Sequence, residues 1–156
     1  PHLNNIKIFN NNNNKEENII YYDNKFILGK SDQKSDNFDI LHFARRDIEK
    51  AVVPSFITGI APSAFEYCSK LRQVEFDDKS QLKLIGRFSF NYSLIEGISF
   101  PSNVTKIEPG TFQSCQNLRI IEFADIKDSV SLKKTSLPFS KEIIVMISPM
   151  KKIIWF

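Results

Sequence analysis

The chain of 156 residues is short of the residues that catalysis, metal binding and phosphate binding draw on: two cysteines, two histidines, one tryptophan and five glycines. The glycines are scattered, so no glycine-rich phosphate loop is present. Cys68 and Cys115 permit one disulfide at most, and neither has a second Cys or His close by in sequence, which argues against a zinc site. His2 lies in a polar N-terminal stretch and His42 between FDIL and FARRD, and no motif sets either beside a nucleophile or an acid. No catalytic residue, metal or cofactor is therefore assigned. The longest apolar run, Ile143 to Ile147, has the length of a strand and not the roughly 18 residues of a membrane helix, so no direct membrane insertion is expected in this stretch. No signal peptide is legible and the chain opens on Pro1, so its ends do not report a compartment. The net charge of +3 arises mostly after residue 101, in the pairs Lys133-Lys134 and Lys151-Lys152. Such pairs read as a solvated face, and no nucleic-acid partner is inferred.

What the chain does have is a repeat. Ser55 to Phe76 reads SFITGIAPSAFEYCSKLRQVEF, and Ser102 to Phe123 reads SNVTKIEPGTFQSCQNLRIIEF. Ile57, Ile60, Phe65, Cys68, Leu71, Val74 and Phe76 recur 47 residues later as Val104, Ile107, Phe112, Cys115, Leu118, Ile121 and Phe123. A third copy lies between them, with Ile85, Phe90, Ile95, Ile98 and Phe100. The unit is thus 23 or 24 residues, one lap of a solenoid. Phe38, Phe43 and Ile48 match the middle copy, so the solenoid is taken to begin near residue 38.

The chain then divides into residues 1–37, an Asn-rich tail followed by a hairpin cap, and residues 38–156, the solenoid, degenerate from about residue 124. The cap is read from Ile19 to Tyr22 and Phe26 to Leu28 flanking Asp23-Asn24-Lys25. Each unit ends in an alternating segment, the strand period, and is completed by a short turn or helical return. A strand recurring after every lap should stack in parallel. The expected fold is an α/β solenoid with a parallel sheet of about five short strands, the fifth at Ile143 to Ile147. Phe65, Phe90 and Phe112 should pile up inside. Ile153 to Phe156 either begins a sixth turn or folds over the last coil. Coils stack about 4.8 Å apart, which sets Cys68 and Cys115, two laps apart, at roughly 10 Å, beyond the ~7 Å reach of a disulfide. Both read as buried free thiols.

Alternation also picks out the residues that point outward: Lys50 and Val52, Gln73 and Glu75, Gly97 and Ser99, Ile120 and Glu122, and in the degenerate strand Ile144 and Met146. They form a two-residue-wide plate across the coils, the candidate ligand-binding face. Two glycosylation sequons occur, Asn91-Tyr92-Ser93 and Asn103-Val104-Thr105. Asn103, in a turn, is the better acceptor.

The pattern IxxIxxxAFxxCxxLxxVxF followed by PSxVxxI resembles the BspA-like leucine-rich repeat, and the alternation of Cys-bearing units with a Ser-bearing one (Ser93) is similar to the versions in surface antigens of parasitic protists. Leu41 to Ile57, LHFARRDIEKAVVPSFI, is similar to a recurrent opening in those proteins. The likeness is carried by residues 38 to 123. It implies a right-handed coil, displayed on the cell surface or secreted, used for adhesion or for binding a protein or glycan ligand such as a host cell surface or extracellular matrix. The alternative is an intracellular scaffold built on the same coil.

Overall fold

The computed structural model describes residues 18–124, 130–138, 142–148 and 153–155. The Asn-rich tail, His2, Lys151, Lys152 and Phe156 lie outside the described residues. In chain order the strands are β1 (Ile19–Tyr22), β2 (Phe26–Gly29), β3 (Ile40–Ala44), β4 (Lys50–Val53), β5 (Gly59–Ile60), β6 (Gln73–Phe76), β7 (Leu84–Ile85), β8 (Gly97–Phe100), β9 (Lys106–Ile107), β10 (Ile120–Ala124), β11 (Val130–Leu132), β12 (Ile144–Ser148) and β13 (Ile153–Trp155).

The hairpin forms where the Asp-Asn turn places it. Asp23 and Asn24 both have φ of +49°, and the Lys25 N–H donates to the Tyr22 carbonyl over 3.1 Å. This is the primed turn whose twist suits two antiparallel strands, and Asx residues tolerate the left-handed region better than most. β2 then pairs antiparallel with β3 through a bulge at His42. Phe26 is fully buried and sets its edge against Phe65 at 6.1 Å. The hairpin thus covers the first coil, as an end of a solenoid must be covered.

The two arginines of the LHFARRDI stretch close the same end. Arg46 lies over the Phe43 ring at 4.1 Å and donates to the Ala64 and Ser63 carbonyls at 2.8 and 3.3 Å. Arg45 pairs with Asp47 at 2.6 Å and reaches the Asn24 carbonyl at 3.1 Å.

Beyond β3 every described pairing is parallel, as the lap-by-lap recurrence requires. Five strands stand where the alternation put them. In the degenerate unit Val145 and Ile147 of β12 align with Ile121 and Phe123 of β10. β13 pairs with β11, so Ile153 to Trp155 begins a further turn. Phe65, Phe90 and Phe112 stack at 4.9 and 5.6 Å between ring centroids, with planes 15° and 7° apart. A second column, Phe76, Phe100 and Phe123, runs beside it at 5.8 and 5.4 Å. Each buried Phe contributes about 1.5–3 kcal/mol.

Three features differ from the sequence reading. The returns are turns, and the 3₁₀ turn Lys134–Ser136 is the one helical element among the described residues. The coil is therefore β-strand and turn with almost no helix. Second, the five-strand face is divided: β4 pairs with β6, and β10 with β8 on one side and β12 on the other, but no ladder joins β6 to β8. The polar loop after Phe76 folds on itself through Asp77 Oδ1 and the Lys79 N–H (2.7 Å), and a cavity of about 220 Å³ opens between the strand ends. Third, a second parallel sheet, β3-β5-β7-β9-β11-β13, forms the opposite wall. Its buried row is Leu41, Ile60, Ile85, Ile107 and Leu132. Strands of two residues such as β5, β7 and β9 carry no alternation to be read in sequence.

Candidate functional site

The outward plate is presented by the strands as alternation demands: β4 runs exposed, buried, exposed, buried. Register places Lys50 opposite Gln73 and Val52 opposite Glu75. After the break, Gly97, Ile120 and Ile144 form one row and Ser99, Glu122 and Met146 the other.

The two parts of the plate differ in chemistry. On β4 and β6 the Lys50 ammonium meets Glu75 Oε1 at 2.7 Å, and the Gln73 amide donates to the same oxygen at 2.7 Å. All three are well exposed, so the pair adds little stability; it holds three polar side chains in one arrangement. Val52, 51% exposed, stands beside them. On β8, β10 and β12 the plate turns apolar. Ile120 leans over Gly97, where an added Cβ would lie 2.7 Å from Ile120 Cγ2. Ile144 and Met146 are 62% and 46% exposed. Ser99 is exposed and Glu122 half-buried. The break between β6 and β8 separates the charged part from the apolar one.

The two sequon asparagines are differently held. Asn91 is buried and held at both ends of its amide: Nδ2 donates to Glu66 Oε1 at 3.0 Å and Oδ1 accepts from the Ser114 N–H at 3.1 Å. Asn103 is half-buried and donates one amide hydrogen to the Ser80 carbonyl at 2.7 Å; an N-linked sugar would replace the other.

Cys68 and Cys115 are buried free thiols. Burial pushes each up to about 11. Arg46 beside Cys68, and Ser93 beside Cys115, pull the other way without offsetting it. His42 is exposed at the bulge, its ring lying where a Cβ on Gly29 would meet it at 2.5 Å. Among the described residues no group of three or more His, Cys, Asp or Glu is placed to hold a metal ion. None of their helices is long and apolar enough to cross a membrane.

One surface feature was not read from the sequence. Tyr67 and Tyr92 stack on the return corner, 4.7 Å between centroids and 8° between planes. Both stand two residues after a central Phe, and comparing that position across units is the signal that would have found them.

Two solved structures are similar to this chain, and the first of them shares its fold. A leucine-rich cell surface protein from Faecalibacterium prausnitzii is 18% identical with a TM-score of 0.54, over 86% of this chain and 41% of its own. A leucine-rich repeat protein from Bacteroides ovatus is 18% identical with a TM-score of 0.41, over 84% of this chain and 44% of its own. The chain thus spans less than half the length of either. No curated protein matches it. The sequence model of the BspA type leucine-rich repeat region matches residues 39–144 in six copies, and on that match the chain belongs to the BspA-type leucine-rich repeat family.

Proposed function

We propose that this chain is a non-enzymatic binding module, part of a cell-surface leucine-rich repeat protein, that engages a protein or glycan through the outward face of β4, β6, β8, β10 and β12. The observation that carries the reading is that face itself. Parallel strands hold Val52 exposed beside the Lys50–Gln73–Glu75 cluster, and Ile144 and Met146 exposed on the other side of the break. Apolar anchors bordered by ordered polar groups are what a partner surface buries. The Faecalibacterium protein of like fold is described as a cell surface protein, which supports display. In this reading residues up to 37 serve as tail and cap, the solenoid runs from 38, its last unit degenerate from about 124, and Asn103 carries the glycan.

The test is binding of the purified chain to immobilised extracellular-matrix proteins and glycoproteins, with Gln73→Lys, Glu75→Lys and Glu122→Lys combined as the control. Binding should fall at least about ten-fold (about 1.4 kcal/mol) in the variant with its melting temperature retained. Unchanged binding would refute the strand-face assignment.

A second reading, an intracellular interaction scaffold, draws on the two unpaired buried thiols, since disulfides are sparse where thiols are kept reduced. Glycan on Asn103 in the native protein would decide for display, and an unglycosylated cytosolic pool for the scaffold.

A further inference from the structure

The return corner carries an aromatic row apart from the strand face. Tyr67 and Tyr92 are 59% and 48% exposed. Their backbones are left-handed, at φ of +58° and +59°, a conformation bulky side chains seldom take and glycine takes freely. Neither phenolic hydroxyl has a hydrogen-bond partner among the described residues. Glycine at these corners would relieve that strain but forfeit the ring stack.

The next coil breaks the row. Ser114 stands two residues after Phe112, as Tyr67 and Tyr92 stand after Phe65 and Phe90. It is outside the left-handed region. Its N–H donates to Asn91 Oδ1 at 3.1 Å, which seats it against the coil of Tyr92. By repeat position the unit beyond Tyr92 offers a serine where a third ring would complete the stack. Alongside runs the row Glu66, Asn91, Gln113. Glu66 and Asn91 satisfy one another at 3.0 Å, whereas the Gln113 amide and the Ser114 hydroxyl have no partner among the described residues, and both residues are half-buried.

We propose that Tyr92, backed by Tyr67 and bordered by Gln113 and Ser114, binds the pyranose ring of a neutral sugar in place of the missing third ring. The electron-rich face of Tyr92 attracts the weakly positive C–H face of the sugar, and the amide and hydroxyl take the sugar hydroxyls. An aromatic side chain from a protein partner would use the ring but leave Gln113 and Ser114 unpaired. The Glu66 carboxylate in the adjacent row disfavours acidic sugars. This site lies on the corner and is independent of the strand-face reading.

The test applies the whole chain to an array of neutral and sialylated oligosaccharides, followed by saturation-transfer NMR with the methyl pyranosides of the sugars retained. Neutral glycans should bind, with transfer concentrated on one C–H face of the ring. Tyr92→Ala should weaken binding at least about ten-fold and Tyr92→Phe by less than about three-fold. Ser114→Tyr, which fills the gap, should weaken it at least about ten-fold with an unaltered melting temperature, and guards against loss of fold in the alanine variant. Glu75→Lys combined with Glu122→Lys should leave sugar binding intact. The proposal is overturned if no neutral glycan shows transfer, if only tyrosine- or tryptophan-bearing peptides bind, or if Tyr92→Ala or Ser114→Tyr binds sugar like the parent. It is equally overturned if the strand variant alone abolishes binding.

Discussion

The Ser93 hydroxyl lies 3.4 Å from the Cys115 thiol, one coil apart in the buried interior, and that thiol donates to the Phe90 carbonyl at 3.0 Å. The serine and cysteine positions of successive units thus form one interior column. Burial raises the Cys115 and Cys68 thiols to about 11. At pH 8 about one thiol in a thousand would be ionised, against roughly a quarter for a free one. Neither cysteine should react with a thiol-specific disulfide reagent in the native protein, and both should react in denaturant. The sign of the linkage follows. A neutral thiol held above its unfolded value stabilises the fold below about pH 8.5, and that stability is lost as pH rises toward about 11. Urea midpoints across that interval would check it, with Cys68→Ser and Cys115→Ser together flattening the alkaline loss.

Phe90 is the middle ring of its column, with Phe65 on one side and Phe112 on the other. Phe90→Ala should cost about 3–5 kcal/mol, since both neighbours lose their contact and the site cannot collapse. Phe26, which meets one ring, should cost toward the low end of that range. Urea denaturation of the two variants measures the difference.

Asp39 ties the cap loop to the first coil by accepting bonds from the Ser31 N–H and hydroxyl, both 2.8 Å, and from the Thr58 hydroxyl at 2.7 Å. Burial alone would raise its carboxyl, but the bonds from Thr58 and Ser31 together outweigh that and hold it below the ordinary value. Asp47 is also held low, chiefly by its bond to Arg45. Carboxylates lowered in the fold stabilise it above about pH 4, and the gain is lost as pH falls through their folded values. The cap should loosen first in acid, seen as early loss of amide protection in 26–29. Asp39→Asn should narrow the stability difference between pH 7 and pH 3.

Ser89 carries the opposite lesson. Its hydroxyl is buried with no hydrogen-bond partner among the described residues. Ala64 holds the matching place in the preceding unit, and Thr111 in the next, where its hydroxyl donates to the Glu108 carbonyl at 2.6 Å. Ser89→Ala should therefore stabilise by about 0.5–1.5 kcal/mol, read as a rise in melting temperature. A loss of stability would mean that the hydroxyl has a partner in solution.

Much of the coil was legible because its physics is repetitive. A side chain buried once per lap must recur once per lap, so Phe65, Phe90 and Phe112, and the strand ends at Val53, Phe76, Phe100 and Phe123, announced themselves in one dimension. The Asp23-Asn24 turn did so for a local reason, its tolerance of positive φ. The outward positions of the plate followed from the same alternation. Their division into a charged and an apolar part did not, because it depends on a ladder that fails between β6 and β8.

The amino-acid order by itself determined the lap length, the interior columns and the strand positions, since burial selects residue type at every turn of the coil. Only the tertiary structure decided which laps hydrogen-bond, that two-residue segments such as Gly59–Ile60 and Leu84–Ile85 make a second wall, and that Tyr67 and Tyr92 meet on the surface. Exposed contacts and very short ladders leave no period in the chain, because solvent tolerates many side chains where the core accepts few.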